Sequence, residues 1–202
     1  MLNKYKPRSN LGNNMFIQTE TTPNPQTIKL IPGKVVMEEG VLEITDSLNA
    51  TDSPLAKRLF DVEGVISVFL GNDFITITKN SSSDWQVIKP LALAAVMDHY
   101  TSNDPIVTSN LIVKPDENLI QDDNINQETV DQIIELIETR VRPAVAQDGG
   151  DIIYKGFKDG VVFLHMRGAC AGCPSSTLTL KNGIENMLKH YIPEVNTVEA
   201  IN

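Results

Sequence analysis

Apolar and polar positions along this chain change period several times, in an order that predicts two separate mixed units. Phe16-Ile17-Gln18-Thr19-Glu20-Thr21 and Thr27-Ile28-Lys29-Leu30-Ile31 are β-rich runs on either side of the turn cluster Pro23-Asn24-Pro25, and they read as two strands. Ser53-Pro54 offers an N-cap and a first-turn proline for a short helix that runs to about Phe60 and stops before Gly64. Val65 to Leu70 and Phe74 to Thr78 are apolar and β-branched, and Gly71-Asn72-Asp73 between them predicts a hairpin. Ser83, with Gln86 three residues on, forms a capping box for a helix reaching about Tyr100, with a kink expected at Pro90. Residues 15–101 are thus expected to form a small α+β domain.

The pattern then lapses. From Thr101 to Asn126 the chain carries Asp104, Asp116, Glu117, Asp122 and Asp123 against the single base Lys114, together with Pro105 and Pro115. Residues 102–126 therefore read as an acidic, flexible linker. Beyond it Val130, Ile133, Ile134, Ile137 and Val141 fall on one stripe of an amphipathic helix. Ile152 to Phe157 and Val161 to Met166 read as strands joined by Lys158-Asp159-Gly160. Pro174 opens a helix whose apolar face is Leu180, Ile184, Met187, Leu188 and Tyr191, and Thr197 to Ile201 reads as an edge strand. The order α-β-β-α-β over residues 127–202 is a second α+β domain, and no internal repeat relates it to the first.

Composition narrows the partners. The 202 residues include 26 acidic and 17 basic side chains, a formal charge of −9, with no Lys/Arg cluster. That leaves no electrostatic footprint for nucleic acid or an anionic membrane surface. The longest apolar run, Leu91 to Met97, falls far short of the ~20 residues that span a bilayer. Residues 1–14 carry Lys4, Lys6 and Arg8 but no apolar core of a secretory signal, so a disordered polar tail is expected, with Met15 as an alternative start. A reducing compartment follows, the bacterial cytoplasm being the expectation and the mitochondrial matrix the second choice.

The chain has two cysteines, both in Cys170-Ala171-Gly172-Cys173, between a predicted strand and a predicted helix. Gly168, Ala169, Ala171 and Gly172 keep the loop bare, and a helix N-terminus favours thiolate, the form that both ligates metal and attacks. A thioredoxin-like dithiol oxidoreductase uses the same local context, although no surrounding βαβ unit is expected here. A zinc-binding module and two merely adjacent thiols are the other readings. Zinc or an iron–sulfur cluster generally takes four ligands, and one chain supplies two. His99 and His190, late in their helices, read as solvated, and His165 alternates with Phe163 and Arg167 on the strand face opposite Val162, Leu164 and Met166. Two chains meeting across a two-fold axis would complete a four-thiolate site.

The run Val141-Arg142-Pro143-Ala144-Val145-Ala146-Gln147-Asp148-Gly149-Gly150-Asp151, with Met166-Arg167-Gly168-Ala169-Cys170-Ala171-Gly172-Cys173-Pro174-Ser175-Ser176, resembles the C-terminal domain of the NifU-like (Nfu) iron–sulfur proteins. Phe16-Ile17-Gln18-Thr19-Glu20-Thr21-Thr22-Pro23-Asn24-Pro25 and the Leu59-Phe60 to Gly64-Val65 segment resemble that family's N-terminal domain. The resemblance implies a [4Fe-4S] cluster held between the protomers of a homodimer by Cys170 and Cys173, one cluster per dimer, and passed to apo iron–sulfur proteins after loading from an upstream scaffold. It also implies a carrier without enzymatic turnover, because the cysteine-bearing scaffold domain of the full-length nitrogen-fixation protein has no counterpart here. The N-terminal domain is then expected to recognise partners or control the dimer. Asp148-Gly149-Gly150 reads as a helix stop, Ser175, Ser176 and Thr177 as hydrogen-bond donors toward sulfur or helix caps, and Arg167 as a counter-charge to the cluster or a solvated strand end.

Overall fold

A computed structural model describes residues 16–108, 120–121 and 126–201, which form two compact α+β units, one within Met1–Val113 and one within Lys114–Asn202. The tail 1–14, Met15 and linker residues 109–119 and 122–125 lie outside the described residues. Among the described residues no helix is long and apolar enough to cross a membrane.

The first unit contains strands β1 (Gln18–Thr21), β2 (Thr27–Ile31), β3 (Leu42–Ile44), β4 (Val65–Leu70) and β5 (Ile75–Lys79), with helices α1 (Pro54–Phe60) and α2 (Trp85–Ser102). The strands pair antiparallel in the order β1-β2-β5-β4-β3. The register sets Ile28 opposite Ile77 and Leu30 opposite Ile75. Those side chains join Leu55 and Leu59 of α1 and Ile88, Ala92 and Val96 of α2 in one core. Burying each large aliphatic contributes about 1.5–3 kcal/mol. Ser53 caps α1 as expected, its hydroxyl accepting the Ala56 N–H at 3.2 Å while donating to the Ile106 carbonyl at 2.8 Å.

Three features of this unit depart from the sequence reading. The cap of α2 is Asp84, whose carboxylate accepts the Gln86 N–H at 2.9 Å. Ser83 is instead packed against Gly64, where a methyl group would come within 2.5 Å of its hydroxyl. Strand β3 and the 3₁₀ turn Ser47–Asp52 are too short to carry a period and were not foreseen. His99, expected on a solvated face, has no exposed surface, and neither ring nitrogen has a hydrogen-bond partner. Burial and the nearby Arg58 guanidinium lower its pKa, with Asp104 opposing them.

The second unit runs β6 (Ile120–Gln121), α3 (Gln127–Leu136), a π-helical turn (Ile137–Val141), α4 (Arg142–Gln147), β7 (Gly150–Lys158), β8 (Val161–Gly168), α5 (Pro174–Tyr191) and β9 (Thr197–Ile201). Asn126 caps α3. Ile133, Ile137 and Val141 of the predicted stripe are buried with Ile152, Leu164, Ile184 and Leu188. Asp159 and Gly160 both take positive φ, as the two-residue turn joining twisted strands β7 and β8 demands. Glu185 of α5 holds the start of β9, accepting the Val198 N–H at 3.1 Å and the Thr197 hydroxyl at 2.8 Å.

The sheet order is β6-β7-β8-β9, with β6 parallel to β7 and β9 parallel to β8. Two corrections follow. The α-β-β-α-β order lacked β6, whose two residues lie in the stretch read as linker. The segment β8-α5-β9 is a parallel crossover, so the Cys-x-x-Cys loop does sit within a βαβ unit, contrary to expectation. Tyr191 also leaves the apolar face assigned to it: it is half-exposed, and its ring and hydroxyl are engaged by Arg140.

Candidate functional site

Strand β8 ends at Gly168, whose φ of +62° turns the chain sharply out of the sheet. The Cys170 N–H donates to the Arg167 carbonyl at 3.3 Å and the Ala171 N–H to the Gly168 carbonyl at 3.1 Å, closing a tight loop. Gly172, with φ of +78°, leads to Cys173, the N-cap of α5. Neither cysteine is in a disulfide. Cys173 therefore stands at the positive end of an 18-residue helix, where negative charge on sulfur is favoured.

Thr177 spans this loop. Its N–H donates to the Cys173 carbonyl at 2.9 Å and its hydroxyl to the Cys170 carbonyl at 3.1 Å. The hydroxyl thus fixes the backbone that carries the thiols instead of pointing at sulfur. The side chains of Ser175 and Ser176 lie outside the described residues.

Asp148-Gly149-Gly150 does more than end a helix. Gly149 takes φ of +84°, and its carbonyl accepts the Ala169 N–H at 3.1 Å. Gly150 pairs with Gly168 across the β7–β8 ladder. A methyl group on Gly150 would lie 2.5 Å from Cys170 Sγ and 2.6 Å from the Arg167 carbonyl oxygen. Gly150 is the wall against which Cys170 rests, and only a residue without a side chain fits there, while Gly149 ties the wall to the loop through Ala169.

The next residue anchors that wall. Asp151 is buried and receives two hydrogen bonds from the Arg142 fork, from Nε at 2.8 Å and from the second terminal nitrogen at 3.1 Å. Arg142 also donates to Glu138 in the π-helical turn at 2.7 Å. The Asp151 bond is the largest influence raising the arginine pKa, so the cation is permanent. Sequence reading quoted both residues in one motif without pairing them. The signal available was a buried-type Asp at the first turn of a strand, nine residues after an Arg.

His165, Arg167 and Lys155 share the sheet face away from the core. Burial first, then Arg167 and Lys155, lower the His165 pKa, so this histidine is held uncharged and turned away from the helices. His190 is exposed. Among the described residues no three His, Cys, Asp or Glu side chains gather at one point. One chain therefore brings two thiols to the loop. Cys170 is buried and Cys173 half-buried, and a side chain added at Gly172 between them would meet open space. Soft thiolates with open space beside them suit a thiophilic metal group. A cavity of about 250 Å³ lined by Leu136, Arg140, Tyr191 and Ile192 lies at the other end of α5, away from the cysteines.

Residues 17–103 match the family model described as scaffold protein Nfu/NifU N terminal, and residues 133–199 match that of the NifU-like domain. The chain is 50% identical over 187 residues to NifU-like protein 4, mitochondrial, of Arabidopsis thaliana, covering 92% of this chain and 65% of that protein. It is 50% identical over 188 residues to the NFU1 iron-sulfur cluster scaffold homolog, mitochondrial, of Homo sapiens, covering 93% and 72%. A NifU-like protein from Saccharomyces cerevisiae, solved in solution, aligns with a TM-score of 0.44 at 23% identity over 55% of this chain and 100% of that one. The chain spans about two thirds of the length of the curated relatives it matches. These relatives are named mitochondrial, which overturns the expectation of a bacterial cytoplasmic location.

Proposed function

This chain belongs to the NifU-like (Nfu) family of iron–sulfur cluster scaffold proteins, and we propose that it is an iron–sulfur cluster carrier that takes part in cluster assembly and delivery. Its cargo is a [4Fe-4S] cluster held by Cys170 and Cys173 of two copies of the chain, one cluster per homodimer. It receives the cluster from an upstream scaffold and passes it to apo iron–sulfur proteins by thiolate exchange, without catalytic turnover of its own.

The observation that carries this reading is the Cys170–Cys173 loop: two thiols on a backbone stripped of side chains, at a helix N-terminus, with open space beside Gly172. Close approach of a second copy requires such bareness, and a cluster bound at the edge of a loop can leave again. A site enclosed within one core would hold its cluster instead.

Anaerobic reconstitution with iron and sulfide tests the proposal. A broad absorbance near ~400 nm, one cluster per two chains and a cluster-dependent dimer are the expected result. Cys170→Ser or Cys173→Ser abolishes both colour and dimer. Colourless protein that undergoes reversible dithiol oxidation overturns the reading in favour of a dithiol oxidoreductase.

A further inference from the structure

The two thiols occupy unequal surroundings, and the inequality has an identifiable source. Cys170 is 5% exposed, pressed against Gly150, where there is no room for a methyl group. Cys173 is half-buried, next to Gly172, where an added side chain would meet open space. The wall belongs to the start of β7, and its position is set by the paired bonds from Arg142 to Asp151, with Glu138 holding the third side of the guanidinium. Gly149, Gly150 and Asp151 each touch the other side of the loop in turn: Gly149 through the Ala169 N–H, Gly150 through Cys170, Asp151 through its ladder pairing with Arg167. A shift of the wall therefore reaches Cys170 directly through the Gly150 contact, whereas Thr177 on α5 ties the backbone of both cysteines alike.

We propose that Cys170 is the retained anchor of the cluster and Cys173 the leading exchange ligand, with Arg142 a positioning residue that sets this order through Asp151 and Gly150. This rests on the carrier reading. In the first exchange a recipient thiol approaches iron on the open Cys173 side. The bond from iron to Cys173 Sγ breaks as the bond from iron to the recipient sulfur forms, the thiol proton passes from the recipient to Cys173 Sγ, and no electron changes hands. The Cys170 bond to iron is broken last.

The inequality is measurable before any cluster is loaded. Full-length reduced apo-protein is treated with iodoacetamide under native conditions, and the alkylation of each cysteine is followed by mass spectrometry. Cys173 is expected to react at least about tenfold faster than Cys170, since reactivity follows access at a fixed pH. Equal rates, or a faster Cys170, overturn the proposal. Arg142→Lys keeps the charge but cannot form the paired bonds, so Cys170 is expected to speed up until the two rates lie within about threefold. Glu185→Gln loosens the hold of α5 on β9, away from the wall, and is expected to leave the ratio as in the unaltered protein. An unchanged ratio in Arg142→Lys, or an equal collapse in Glu185→Gln, overturns the positioning role. Failure of the unaltered protein to take up iron and sulfide removes the carrier reading instead, and the thiol ratio, which needs no iron, tells the two failures apart.

Discussion

In the first unit, five antiparallel strands and two helices close over Leu30, Leu55, Leu59, Val68, Leu70 and Ile75, none with exposed surface. In the second, packing of the same kind stops at the end of β8, where two glycines, a buried carboxylate and two thiols replace aliphatic contact. Their buried polar groups differ as well. His99 of the first unit has no hydrogen-bond partner, whereas Asp151 of the second is met on both carboxylate oxygens by one arginine. Aliphatic packing specifies a shape that tolerates compensation by neighbours. The glycine wall and the paired bonds specify single positions, and small errors there pass straight to a sulfur atom. The second unit thus positions its thiols by exclusion and hydrogen bonding, whereas the first closes over aliphatic side chains and an unpaired histidine.

The largest effect that can test this contrast is a cavity in the first unit. Leu59→Ala removes a fully buried side chain and is expected to destabilise that unit by about 2–5 kcal/mol. Trp85 is the chain's single tryptophan and lies in α2, so its fluorescence reports this unit. Cluster uptake by the second unit is expected to persist at temperatures where the altered first unit has unfolded. Loss of uptake together with loss of Trp85 signal would show that the two units unfold as one.

A single methyl group probes the other side of the comparison. Gly150→Ala is expected to cost about 1–3 kcal/mol, because backbone at the Arg167 carbonyl and the Cys170 sulfur must both give way. Its larger consequence is a displaced Cys170, read as a reconstituted cluster that bleaches faster in air than that of the unaltered protein. An unaltered bleaching rate would mean that the wall supports the fold without governing the site.

The smallest effect is one of pH. The folded state holds His99 below its ordinary value, through burial and then Arg58, with Asp104 opposing and Lys34 stacked over the adjacent Tyr100 ring. The unfolded chain therefore takes up the proton first. Stability of the first unit is full above about pH 6.5 and falls as the pH drops below it. Urea midpoints followed by Trp85 fluorescence are expected to decline between pH 7 and pH 5, and His99→Leu to remove most of that decline. A midpoint unchanged over this range would show that His99 finds compensation on protonation.

Much of the fold was legible because its signals are local. The Ser53-Pro54 start of α1, the helical stripe from Val130 to Val141 and the Asp159-Gly160 turn each depend on residues a few positions apart, and each formed where read. The missed elements lack such a signal. Two residues of β6 and three of β3 cannot show alternation, and both strands exist because a partner strand accepts them. His99 reads as a solvated cation at a helix end, yet the helix packs with that face inward. The parallel pairing of β8 and β9 joins segments separated by a whole helix, which no local pattern announces.

By itself the sequence determined that there are two α+β units and that the chain's two thiols share one bare loop between a strand and a helix. It thereby determined that a four-thiolate site needs a second chain. Tertiary structure alone decided that Gly150 presses on Cys170, that Arg142 reaches Asp151, and that one thiol is buried while the other is only half-buried. Local pattern records what each residue prefers for its own backbone. The environment of a sulfur atom depends on which distant backbone passes within van der Waals reach, and that is settled only when the strands and helices have packed.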